Sequence, residues 1–198
     1  MPKTDAVVVG TGPNGLAAAI TLARAGVSVQ AIEGATEPGG GCRTAELTLP
    51  GFRHDVCAAV HPLAAVSPFF HSMAGPGPEL LHPPVALAHP LDDLPAAALT
   101  GTAAQTGRLL GADAAAYRAL LGPIARDQPL TLPAILGPVL ARPAHPLALA
   151  RFGLPGALPA TVLARRFRTP QARALLAGAA AHAMLPLTAP LTSAFALL

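Results

Sequence analysis

Val7–Ala19, VVVGTGPNGLAAA, sets three glycines between a run of valines and a run of alanines. Valine favours strands and alanine favours helices, so the glycines mark a turn from strand to helix. Their spacing, Gly10-x-Gly12-x-x-Gly15, has a physical reading at each position. Gly10 permits a tight turn, Gly12 lets backbone amides approach an anion, and Gly15 lets the helix lie close to the strand. Pro13 suits a first helical turn, where its missing N–H costs nothing. With Asn14 it opens a helix whose unpaired N–H groups are available to an anion.

Working outward, Asp5–Val9 reads as a short buried strand, Pro13–Ala25 as a helix ended by Gly26, and Val27–Ile32 as a second strand. Together they occupy about thirty residues, the size of a parallel βαβ crossover. Glu33 closes the second strand eighteen residues after Gly15. A carboxylate there can accept hydrogen bonds from the ribose of an adenine dinucleotide. It would repel a 2′-phosphate, and Gly34-Ala35-Thr36 has no arginine to receive one, which disfavours NADP. The fold class expected is α/β: a Rossmann-like βαβ unit followed by a partial, mainly helical region.

The first loop does not distinguish NAD from FAD. The following stretch, Glu33–Val56, EGATEPGGGCRTAELTLPGFRHDV, adds Gly39, Gly40 and Gly41 and then Arg43 and Thr44. Backbone amides and a guanidinium suit an anionic pyrophosphate. With VVVGTGPNGLAAAITLARAG before it, this stretch resembles the N-terminus of the FAD-dependent phytoene desaturase-like (phytoene dehydrogenase-related) oxidoreductases, relatives of the amine oxidases. The resemblance implies that Gly10, Gly12, Pro13, Asn14, Gly15, Glu33, Gly40, Gly41, Arg43 and Thr44 bind FAD. It also implies hydride transfer from a C–H bond of a small lipophilic substrate to flavin N5. Two positions depart from the family pattern: Gly41-Cys42 separates the glycine pair from Arg43, and Cys57 replaces the last glycine of G-F-x-x-D-x-G. Family members are usually much longer. The resemblance therefore implies an N-terminal portion, residues 1–66 binding FAD and residues 67–198 forming part of a substrate region, with a further segment or partner completing the flavin site.

At 52% hydrophobic and 12% charged residues, the 198-residue chain is not of disordered composition. Its 23 prolines predict few long helices. The net charge of +3 conceals an asymmetry: residues 1–127 carry seven basic and ten acidic side chains, residues 128–198 six arginines and no acid. Such a basic, apolar segment suits the surface of an anionic membrane or an acidic surface of the same protein. Nucleic acid is not expected, because the seven aromatics are scattered and no basic cluster exceeds Arg165, Arg166 and Arg168. Cys42 and Cys57 form neither a disulfide framework nor a C-x-x-C motif, which favours a reducing compartment. With no secretory signal and no unbroken apolar run of about 18 residues, a cytoplasmic location, at most membrane-peripheral, is expected.

Pro50-Gly51 predicts a type II turn joining Ala45–Leu49 to Phe52–Val56 in a hairpin. Val85–Ala88 and Ala96–Thr100 read as further strands. Ala112–Leu121 reads as a helix with Asp113 near its start and Gly122-Pro123 at its end, and Gln171–Met184 as the best late helix. His54, Asp55, Cys57 and His61 are metal-ligand types, but His54 and Asp55 would point to opposite faces of a strand, so no metal site is expected. No catalytic side chain is assigned. An NAD-dependent enzyme and a non-catalytic dinucleotide-binding module are the alternatives.

Overall fold

The computed structural model describes residues 3–73, 79–138 and 140–198. The chain divides into two compact units, Met1–Gly77 and Pro78–Leu198. This boundary falls later than one after residue 66. The reason lies in α2 (Pro68–Ser72), which follows a 3-10 turn at Ala64–Val66 and is tied back to the first unit by a hydrogen bond from Arg24 Nη1 to the Ser72 carbonyl at 3.1 Å.

In the first unit, β1 (Ala6–Val9) and β2 (Val29–Ile32) pair in parallel, Ala6 opposite Val29 through Val9 opposite Ile32. The crossover between them is α1 (Pro13–Arg24), and Gly26 at φ 83° follows its end. Val8 faces α1: a Cβ added to Gly15 would lie 3.7 Å from Val8 Cγ1. Val7 and Val9 therefore point to the other face. Here the structure corrects the expectation of a buried strand, because Val9 is 82% exposed and Val7 54%. One helix covers only one side of a two-stranded parallel sheet, an arrangement normally covered on both faces. The expected hairpin is present but short: β3 (Thr44–Glu46) pairs antiparallel with β4 (Arg53–Asp55), and Gly51 takes φ 84° in the turn.

The second unit holds the buried apolar core. It begins with the antiparallel pair β5 (Leu87–Leu91) and β6 (Leu94–Leu99), which has a register shift between His89 and Leu91 beside Pro90. α3 (Ala103–Leu109) follows, then α4 (Ala114–Leu136), α5 (Pro146–Gly156), α6 (Ala160–Leu163), α7 (Pro170–Ala180) and α8 (Thr192–Leu197). Tyr117, Leu120 and Ile124 of α4 pack with Leu163, Phe167, Leu175 and Leu176. Phe167 and Leu163 are each 1% exposed. Each such side chain contributes about 1.5–3 kcal/mol of transfer free energy.

The helix expected to stop at Gly122-Pro123 instead continues to Leu136 through Pro123, Pro129 and Pro133. Its buried positions, Tyr117, Leu120, Ile124, Asp127 and Thr131, recur every three or four residues along one stripe. Pro129 and Pro133 are exposed, on the opposite side. Water can therefore serve the carbonyls that each proline leaves without an N–H partner, while burial along the stripe offsets the proline penalty of about 3 kcal/mol each.

Two acids anchor the basic half of the chain. Asp113 accepts hydrogen bonds from the backbone of Arg168 and Thr169, and Asp127 pairs with Arg151 Nη1 at 2.6 Å and Arg126 Nε at 2.9 Å.

Candidate dinucleotide site

The loop between β1 and α1 starts at Gly10, whose N–H donates to the Ile32 carbonyl at 2.7 Å and whose φ of 93° only glycine adopts readily. Gly12 is the N-cap of α1 and Pro13 its first residue; no side chain caps the helix and no acid lies in its first turn. The first-turn N–H groups thus lack intrahelical acceptors, and an anion can take them. Gly15 is required sterically, since a Cβ there would overlap the Gly10 carbonyl oxygen. Asn14 is exposed in the first turn and contributes its backbone N–H to that end.

Glu33 meets this loop through a residue that the glycine spacing treats as variable. The Thr11 hydroxyl and the Thr11 N–H (2.9 Å) both donate to Glu33 Oε2, and the Ala35 N–H donates to Oε1 at 3.0 Å. Thr11 is buried. A signal for it was present, a hydroxyl between two turn glycines opposite a strand-ending acid. An ionised carboxylate accepts about four hydrogen bonds, which leaves capacity at Oε1 for a ribose hydroxyl.

The Thr11 hydroxyl above all, with the backbone donors of Ala35 and Thr11, stabilises the ionised form of Glu33 and brings its pKa down from 4.5 to about 2. A depressed carboxylate pKa contributes stability above the ordinary value and loses it as pH falls through the folded one, here between 4.5 and about 2. An NMR titration of the Glu33 carboxyl carbon should have its midpoint near 2, and Thr11→Val should move it toward 4.5. A parent midpoint at the ordinary value would show that Thr11 does not hold the acid.

The second glycine cluster folds against the first loop. The Gly39 N–H donates to the Thr11 carbonyl at 2.9 Å. Gly40 (φ 54°) approaches Gly12 so closely that a Cβ on Gly40 would lie 2.9 Å from Gly12 Cα. Arg43 Nε donates to the Gly40 carbonyl at 2.9 Å. Its Nη groups have no hydrogen-bond partner among the described residues, so a fork of donors remains for an anion.

Gly41 lies beside Cys57: a Cβ on Gly41 would be 3.8 Å from the thiol sulfur, and the Gly41 carbonyl accepts from the Ala58 N–H at 2.9 Å. The departure at Cys57 thus sits next to the second cluster. The Thr44 hydroxyl donates to Asp55 Oδ1 at 3.1 Å across the β3–β4 pair, so that hydroxyl serves the hairpin.

Gly10, Gly12, Gly15, Glu33, Gly40 and Arg43 therefore converge, with Thr11 as the link between the loop and the acid. Curated proteins give no match to the chain. Residues 8–73 match the family described as the NAD(P)-binding Rossmann-like domain, in keeping with the Rossmann-like fold of the β1–α1–β2 unit.

Proposed function

We propose that the chain binds FAD and serves an oxidoreductase that removes a hydride from a C–H bond of a lipophilic substrate. The observation that carries this reading is the contact of Gly40 with Gly12, which brings Arg43 and a second run of glycine backbone to the first loop. The donor set fits a dinucleotide pyrophosphate: amides at the start of α1, an available guanidinium fork, and two close-approach glycines. Glu33 would take the adenosine ribose. FAD, when bound, supplies hydride acceptance at N5. The chain's own residues bind and orient the dinucleotide and hold its negative charge. No proton-transferring side chain is assigned.

A second reading, NAD as the dinucleotide, is favoured by the family description and by Glu33, which suits the ribose of either molecule. The test is the visible absorption spectrum of the folded, desalted chain after incubation with FAD, beside a Gly12→Val variant and a parallel NADH fluorescence titration. Flavin retained by the parent and lost by the variant supports FAD. NADH binding without flavin retention transfers the site to NAD, and a folded parent that binds neither overturns both.

A further inference from the structure

We propose that the bend between α5 and α6 is a docking surface for an anionic phospholipid bilayer. This goes beyond the dinucleotide reading and does not rest on it. Among the described residues no single helix is long and apolar enough to cross a membrane. α5 and the segment Ala160–Arg166 are instead jointly apolar but bent by 93°. Ala160 and Leu163 on the inner side of this bend are buried in the core, so only its outer side meets solvent.

The exposed side chains at this bend are of two kinds. Leu154 is 74% exposed, and Leu158 lines the same cavity of about 540 Å³ between α4 and α5, together with Arg151 and Arg166. Leu191 stands beside them, because its N–H donates to the Ala157 carbonyl at 3.1 Å while the Ser193 N–H donates to that of Leu158 at 3.2 Å. Leu191 holds φ 68°, a left-handed conformation costly for leucine, yet its side chain is exposed. The strain therefore places an apolar side chain in water, which core packing does not explain.

The charge fits one partner. Arg151 shares Asp127 with Arg126, whereas Arg165 and Arg166 are exposed and have no ion-pair partner among the described residues. No acid occurs anywhere in residues 128–198 to oppose them. Exposed leucines bordered by uncompensated arginines match acyl chains below a layer of lipid phosphates.

The test is co-sedimentation of the full chain with vesicles of phosphatidylcholine, with and without phosphatidylglycerol. The chain should bind the anionic vesicles, weakly at high salt, and leave the neutral ones largely free. Arg165→Gln/Arg166→Gln should lower partitioning about 25-fold, near fivefold per arginine. Leu154→Gln/Leu158→Gln should lower it at least about tenfold. Far-UV circular dichroism and thermal melts establish that both variants are folded. Equal partitioning onto neutral vesicles, absence of binding, or an unchanged arginine variant overturns the proposal. So does a parent dimer that the leucine variant converts to monomer, which would assign the face to a second copy of the chain.

Discussion

Gly40→Ala is expected to raise the dissociation constant for the dinucleotide about 100-fold or more, measured by quenching of flavin fluorescence. Two costs act together. The new Cβ would lie 2.9 Å from Gly12 Cα, a backbone atom that cannot rotate away, and φ at position 40 is 54°. A left-handed non-glycine residue costs roughly 1–2 kcal/mol, and overpacking against fixed atoms costs about 1–3 kcal/mol. The strain is relieved if Gly39–Arg43 moves off the first loop, and that movement separates the Arg43 guanidinium from the amides at the start of α1. About 3 kcal/mol corresponds to the stated loss. Gly34→Ala is the control, because a Cβ there meets nothing within 4 Å and no positive φ is involved; its affinity should stay within about threefold of the parent, as a neutral surface change does. Parental affinity in Gly40→Ala would mean that the second cluster does not form part of the site.

Asp113→Ala should destabilise the second unit by about 2–4 kcal/mol, read from urea unfolding. Asp113 is 1% exposed and accepts four hydrogen-bond contacts: the Arg168 N–H at 2.9 and 3.0 Å, and the Thr169 N–H and hydroxyl, each at 2.7 Å. Removing the carboxylate leaves donors at the start of α7 buried without an acceptor. Asp113→Asn retains one side-chain oxygen and should cost less. Burial alone would raise the Asp113 pKa, but the donors from Thr169 and Arg168 outweigh it and hold it below 3.8. The carboxylate's contribution is therefore complete above that ordinary value and declines as pH falls through the lower, folded one. The stability gap between parent and Asp113→Asn should stay constant through neutral pH and close only below 3.8. A gap that closes nearer neutrality, or an Asp113→Ala protein as stable as the parent, would remove the anchoring role.

Asp113 shows where local sequence is a poor guide. Asp113 lies at the start of a helical pattern, where a carboxylate would ordinarily cap its own helix. In the structure it makes no side-chain cap to α4 and binds the start of α7, 55–56 residues away. No local rule points to that partner. Thr102-x-x-Gln105, by contrast, is a reciprocal capping box legible in the sequence, with Gln105 N–H to Thr102 Oγ1 at 3.2 Å and Thr102 N–H to Gln105 Oε1 at 2.7 Å. It opens α3, an element the broader hydrophobic pattern did not reveal.

What the sequence by itself determined was the strand, glycine loop, helix and second strand ending at Glu33, and the hairpin turning at Pro50-Gly51. These features depend on backbone freedom and side-chain preference over a few residues, so the local sequence contains them. Tertiary structure decided the passage of α4 through three prolines, the exposure of Val7 and Val9, the approach of Gly40 to Gly12, and the role of Asp113. Each of these turns on which surface a segment meets. Burial can outweigh a propensity of about 3 kcal/mol, and a polar group buried far along the chain takes whichever donor the packing brings to it.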